Sequence, residues 1–323
     1  MWHVKNWFRV GHNISWRLNF HTLFGFLYLS HPRDCFYRQA LKKHEFVLSY
    51  LTREMKPVID RYRSVPELPE NRTVPDNRKI WTIWWQGEEN APPLVRACIR
   101  SMRENANGAQ LVVVTRKNIA DFVDIPGYIL EKHAKGYICN AVLSDIARFA
   151  LLEKYGGLWL DSTIFVSRPV PPEYFTYNFF SQHTRPVEKT AWVQNNAYHI
   201  FVIGSRPAAK LVSFAKEMFF EYWKTHDTAV DYLTTDYFFY LAMREYPEIR
   251  QEINSLPWSS ERLYELVSLL DSPFDKAHFD QLCDACIFSK LDWHRKYRDT
   301  VRGRPTYYHH LLNCGKTNPS EEC

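Results

Sequence analysis

The chain has 323 residues, 46% of them apolar and 24% charged, which excludes a disordered protein and suits one large α/β domain with helical additions. Its net charge of +5 is scattered, with no block of like charges. That speaks against a nucleic-acid partner and fits a phosphate-rich ligand or an anionic lipid surface equally well. Aromatic residues make up 16% of the chain, a share that favours stacking surfaces for sugars or bases, or a membrane-interface face, beside ordinary core packing.

Residues 1–30 mix Trp2, Trp7, Phe8, Trp16, Phe20 and Phe24 with Lys5, Arg9 and Arg17. This suits an interfacial amphipathic segment as well as a helix packed on the main domain. The apolar stretch 22–29 is too short to span a bilayer, which takes about 20 apolar residues. Helical spacing predicts a helix over 34–63, free of Gly and Pro until Pro57. Pro66, Pro69 and Pro75 then mark a linker. The boundary falls there, between an N-terminal helical, membrane-interfacial extension over 1–65 and a main domain over 66–323.

The run Ile80-Trp81-Thr82-Ile83-Trp84-Trp85 reads as a buried strand. Pro92 and Pro93 open a helix to about Asn105, and Gln110–Thr115 is a second strand. Strand, helix and strand at this spacing form a βαβ unit with a parallel pair, whose ligands bind beyond the carboxyl ends of the strands, where Trp84 and Trp85 stand. Helices follow at about 117–123, 127–135 and 138–155, then a strand over 158–166. Short strands are expected at 177–182 and 198–203, and a mostly helical part begins at Pro207. Of the seven cysteines, Cys98 and Cys139 sit in apolar helical patterns, and Cys283-x-x-Cys286 lacks a second pair at zinc-binding spacing. This usage points to a reducing cytosol.

The most informative run is Ser144-Asp145-Ile146-Ala147-Arg148, then Tyr155-Gly156-Gly157-Leu158-Trp159-Leu160-Asp161-Ser162-Thr163. Asp145 and Arg148, three apart, share one face of an otherwise apolar helix. Such a pair can fix sugar hydroxyls, the acid accepting and the guanidinium donating in a fixed fork, or it can be a simple intrahelical salt bridge. Gly156-Gly157 closes the helix. A short buried strand then delivers Asp161 at its end, with Ser162 and Thr163 as hydroxyl donors. No phosphate-binding GxxxxGK[ST], HExxH or GxSxG occurs.

This pattern resembles the signature of the family-32 glycosyltransferases, most closely their capsular polysaccharide synthesis branch. The resemblance covers about residues 80–205 well and the C-terminal third loosely. It implies a GT-A-like, Rossmann-type α/β sheet with a mostly helical C-terminal part. It also implies transfer of a sugar, with retention at the anomeric carbon, from a nucleotide diphosphate donor, UDP-linked, to a hydroxyl of a surface polysaccharide or lipid-linked oligosaccharide. Asp145 and Arg148 would hold the donor sugar and its phosphate. Asp161 would be the first acid of a D-x-D element near the ribose and a divalent metal, Mn²⁺ or Mg²⁺. Trp84 would stack on the base, with Trp85, Ser144, Gly157 and Thr163 as further donor-binding positions; Asn195 and Asn196, before the strand at 198–203, can hydrogen-bond sugar hydroxyls or serve as ordinary turn residues. Thr163 stands where the second acid belongs, which bears directly on metal dependence. His309, in the segment Thr306–Leu311, would reach the metal or diphosphate, and Asp236 would orient the acceptor hydroxyl. The expected setting is cytoplasmic, at the inner face of the membrane. The competing reading is a degenerate, non-catalytic sugar- or nucleotide-binding scaffold of polysaccharide assembly.

Overall fold

The central sheet is built from strands β1 (Lys79–Ile83), β2 (Gln110–Val114), β3 (Gly157–Leu160), β5 (Phe180–Ser181) and β6 (Val202–Ser205); β4 (Ile164–Val166) and β7 (Phe288–Lys290) pair apart from it, as do β8 (Thr300–Val301) and β9 (Arg304–Pro305). The computed structural model describes residues 2–31, 33–71 and 73–313. Cys314 and Cys323 lie outside the described residues, as do the side chains of Trp2 and Phe24. The sheet order is β2-β1-β3-β6-β5. β2, β1 and β3 run parallel, and β6 and β5 add antiparallel pairs. This is the mixed α/β sheet expected from the βαβ unit, with a mostly helical C-terminal part and a helical N-terminal extension around it.

Because β2 and β3 flank β1 on opposite sides, the chain reverses direction of travel across the sheet at β1. Ligands of open α/β sheets bind at such a switch point, beyond the carboxyl ends of the strands. The strand expected over 158–166 is in fact two strands. β3 ends at Leu160, Asp161–Thr163 turn, and β4 leaves the main sheet to pair antiparallel with β7. An unbroken apolar pattern hides that break, since Ile164, Phe165 and Val166 are as buried as the β3 residues.

The predicted helix over 34–63 is divided at Met55 into Asp34–Glu54 and Lys56–Tyr62, with Pro57 inside the first turn of the second. A proline is tolerated there because its missing N–H would have no helical partner. Val47, Leu51, Val58, Ile59 and Tyr62 from these helices join the same apolar core as the sheet. The Trp2–Val10 and Trp16–Ser30 helices lie further out, tied down by the Asn6 amide, which donates to the Ala229 carbonyl and accepts from its N–H. Among the described residues no helix is long and apolar enough to cross a membrane.

The Asn140–Tyr155 helix buries Val142, Leu143, Ile146, Phe149 and Leu151. It stops at Gly156 (φ 63°), whose carbonyl accepts from the Trp81 indole at 2.8 Å, and Gly157 (φ 105°) starts β3. A Cβ on Gly157 would stand 2.5 Å from the Lys79 carbonyl oxygen. Gly157→Ala should therefore destabilise the protein by about 3 kcal/mol from backbone strain and this clash. Gly136→Ala, at φ 73° in open space, should cost only about 1 kcal/mol. Urea denaturation of the two variants measures the contrast, and equal costs would contradict the close approach.

Candidate functional site

At the carboxyl ends of β1 and β3 lies a cleft of about 740 Å³, lined by Trp84, Asp145, Arg148, Asp161, Lys290 and Trp293 among others. That volume suits a nucleotide-sized ligand. At its floor the Arg148 guanidinium, with its side chain only 4% exposed, is shared by two acids from different elements. Nη2 lies 3.1 Å from Asp145 Oδ1 and donates to Asp161 Oδ1 at 2.9 Å. The face of the group rests 4.7 Å above the Trp159 ring. Its Nε and Nη1 are buried without partners.

Asp161 is fully engaged. Oδ1 also accepts from the Trp159 indole at 2.9 Å, and Oδ2 accepts from Lys290 Nζ at 2.8 Å. Burial alone would raise its pKa, but the Lys290 ammonium and the Arg148 guanidinium hold the carboxyl at about 2. Asp145 is held from the other side by Thr235, whose hydroxyl donates to Oδ2 at 3.0 Å. Burial pushes the Asp145 carboxyl up against the pull of Arg148. One carboxylate is thus fixed as an anion while its neighbour is the easier to protonate.

Two tryptophans follow β1 and act differently. Trp84 lines the cleft and meets Trp293 edge-to-face at 5.4 Å, forming an aromatic wall. Trp85 is buried, and its indole donates to Ser144 Oγ at 2.9 Å and to the Asn140 carbonyl at 3.2 Å. It locks the end of β1 to the helix, and both Trp85 and Ser144 line the cleft. Ser144 is used by that lock, and its hydroxyl donates back to the Asn140 carbonyl. Thr163 lines the cleft, and its carbonyl accepts from the Leu291 N–H.

Other expected positions lie elsewhere. Gly157 begins β3, at the opposite end of the strand from Asp161, and serves the helix-to-strand join. Asn196 (φ 65°) donates to the Arg185 carbonyl in a turn and does not line the cleft. His309 sits on the Tyr307–Asn313 helix beside Asp299 (3.9 Å) and Asn313, also off the cleft lining. Asp236 stands in the first turn of the Thr234–Glu245 helix next to Thr235, buried and behind the cleft wall. Two cleft residues that no local sequence signal marks are Lys290 and Trp293, which arrive on β7 and the loop after it.

A family model described as "Capsular polysaccharide synthesis protein" matches residues 34–311. The chain belongs to the capsular polysaccharide synthesis protein family. Among solved structures it is similar to one titled "PaToxG Glycosyltransferase", with 14% identity and a TM-score of 0.39 over 77% of this chain and 94% of that one, a distant likeness. No curated protein matches the chain.

In this member of the capsular polysaccharide synthesis family, the side chains around Asp161 do not suit a divalent metal. Among the described residues no group of three His, Cys, Asp or Glu could hold a metal ion, but Mg²⁺ or Mn²⁺ at a phosphate site needs only one or two carboxylates. What decides is that both Asp161 oxygens already serve cations. A dication there would be repelled by the cations that already hold the carboxylate. Two such cations, Arg148 and Lys290, sit on Asp161. The second acid is absent because Thr163 holds its place, and His309 is off the cleft.

Burial, with Asp145 and Asp231 near, pushes the Asp236 carboxyl from 3.8 up to about 7. Between those pH values the folded state keeps a proton that the unfolded chain has lost, so stability falls as pH rises through this window and levels off above it. Asp236→Asn should remove that loss. Thermal melts should show the variant gaining several degrees over the parent at about pH 8 and nothing at about pH 4. A difference independent of pH would contradict the assignment.

Proposed function

We propose that this chain is a glycosyltransferase of GT-A-like fold that transfers a sugar from a nucleotide diphosphate donor, UDP-linked, with retention at the anomeric carbon. The reading is carried by one observation: Asp145, Arg148 and Asp161 converge at the switch point of the sheet beside an aromatic wall. The base would lie against Trp84 and Trp293. Asp161 would face the ribose and diphosphate, and Asp145, backed by Thr235, would accept from sugar hydroxyls. In the reaction the bond from C1 to the diphosphate oxygen breaks, its electron pair leaving on the phosphate. The acceptor oxygen bonds to C1, and the acceptor proton passes to the departing phosphate. Fixed positive charge at the departing group is the largest single contribution such a site can make. Asp236, one residue past Thr235, would tune Asp145 through its charge instead of meeting the acceptor.

For the acceptor we favour a lipid-linked oligosaccharide presented at the inner face of the membrane. A second cavity, about 300 Å³, lies between the N-terminal helices and the 230–233 segment and shares Tyr232 and Leu233 with the cleft. Residues 1–33 contain no Asp or Glu, and Phe8, Trp16 and Phe20 are more than half exposed. Basic and aromatic groups without acids suit an anionic bilayer surface. The extension over 1–65 would then be the membrane-facing part of the protein and 66–323 the transferase domain.

A panel of nucleotide sugars, scored by donor hydrolysis and by thermal shift, tests the class. One donor should raise the melting temperature and be hydrolysed slowly without acceptor. Arg148→Ala should reduce turnover by about 10²–10³-fold. Trp84→Ala should weaken nucleotide binding by about 1–3 kcal/mol, the value of one base stacked on an aromatic ring. Binding without turnover, with any donor or acceptor extract, would favour the scaffold reading instead.

A further inference from the structure

The cleft holds one more cation than the sequence signature accounts for, and it is built in. Lys290 closes β7, and β7 is registered against β4 so that Ile164 pairs with Lys290. The next residue, Leu291, donates its N–H to the Thr163 carbonyl at 2.9 Å. The turn that carries Asp161 and Thr163 is therefore the same piece of backbone that sets Lys290. Its ammonium sits 2.8 Å from Asp161 Oδ2 and 5.1 Å from the Phe201 ring centroid, with the side chain 24% exposed into the cleft.

We infer that this chain meets the charge of the donor diphosphate with Lys290 and Arg148 and without a divalent metal; the inference rests on the donor-site reading above. The two cations have complementary properties. Arg148 is locked between two carboxylates and a tryptophan face, a fixed charge. Lys290 has three donors on a flexible stem, and only one hydrogen bond ties it to Asp161. It can turn towards a phosphate oxygen while Asp161 keeps its hydrogen bond from Arg148. As the bond from C1 to the phosphate oxygen breaks, the electron pair settles on an oxygen beside the ammonium. Lys290 stays protonated and acts by charge alone. Thr163, in place of a second acid, leaves a neutral hydroxyl in the cleft and keeps the approach to the two cations free of a further negative charge.

The test uses the full chain, metal-stripped with EDTA, and titration calorimetry with uridine, UDP, GDP and ADP in EDTA and again in Mn²⁺. The expected result is that at least one nucleoside diphosphate binds in EDTA, with Mn²⁺ changing its Kd by less than about threefold. Lys290→Met should weaken that diphosphate by about tenfold or more while leaving the matching nucleoside unchanged, and Lys290→Arg should recover most of the loss. The nucleoside control separates loss of a phosphate contact from loss of the fold. Binding that appears only with Mn²⁺ overturns the inference and leaves the transferase reading standing. Equal weakening of nucleoside and diphosphate by Lys290→Met also overturns it. No nucleotide binding in either buffer would remove the donor site itself, and this inference with it.

Discussion

The site depends on one buried guanidinium. Arg148 is almost wholly out of water, and a charge buried there without counter-ions would cost the fold several kcal/mol. It finds two, one on its own helix and one on the turn after β3. Neither acid alone would set the geometry of the cleft. Together they pin the Asn140–Tyr155 helix to the end of β3, and Trp159 touches both groups, its N–H donating to Asp161 and its ring centroid lying 4.7 Å from the Arg148 guanidinium carbon. A buried ion network is a poor way to gain stability, since apolar residues of like volume usually do better. Its presence at the carboxyl ends of parallel strands is better explained by what it can bind.

The four charges of Asp145, Asp161, Arg148 and Lys290 sum to zero, yet they are not equivalent. Asp161 is held as an anion by two cations, whereas burial makes Asp145 the easier one to protonate. The pairing leaves Lys290, on its flexible stem, as the cation at the cleft that is the less tightly held. The two tryptophans after β1 divide the remaining labour. Trp85 ties strand to helix through Ser144, and Trp84 is left free to form a wall with Trp293.

Much of this is legible in the sequence and some of it is not, for physical reasons. Asp145, Arg148 and Asp161 are readable because they are close in the chain and because helix period, glycine stop and short strand fix their relative placement. The βαβ unit is readable because its strands are short apolar runs between clear breakers. Lys290 is not, since it comes 129 residues after Asp161 and reaches it only through the pairing of β7 with β4. That pairing is itself hidden by the unbroken apolar run that joins β3 to β4. Family likeness points Gly157 and His309 to the cleft, and the place of Asn196 before a short strand suits a sugar contact or a turn equally. Local geometry places them in a helix-to-strand join, a contact with Asp299 and a left-handed turn. Asp236 is legible as an acid in an apolar helix whose pKa burial should raise, but that burial lies behind the cleft wall and not towards a ligand.

The most direct measurement is a crystal structure of the protein grown with UDP and Mn²⁺, with anomalous data collected to locate manganese. The diphosphate is expected within about 3 Å of Lys290 Nζ. The base should lie against Trp84, with no manganese peak at Asp161. A nucleotide bound outside this cleft, or manganese seated on Asp161 with Lys290 displaced, would contradict a donor site built on two protein cations.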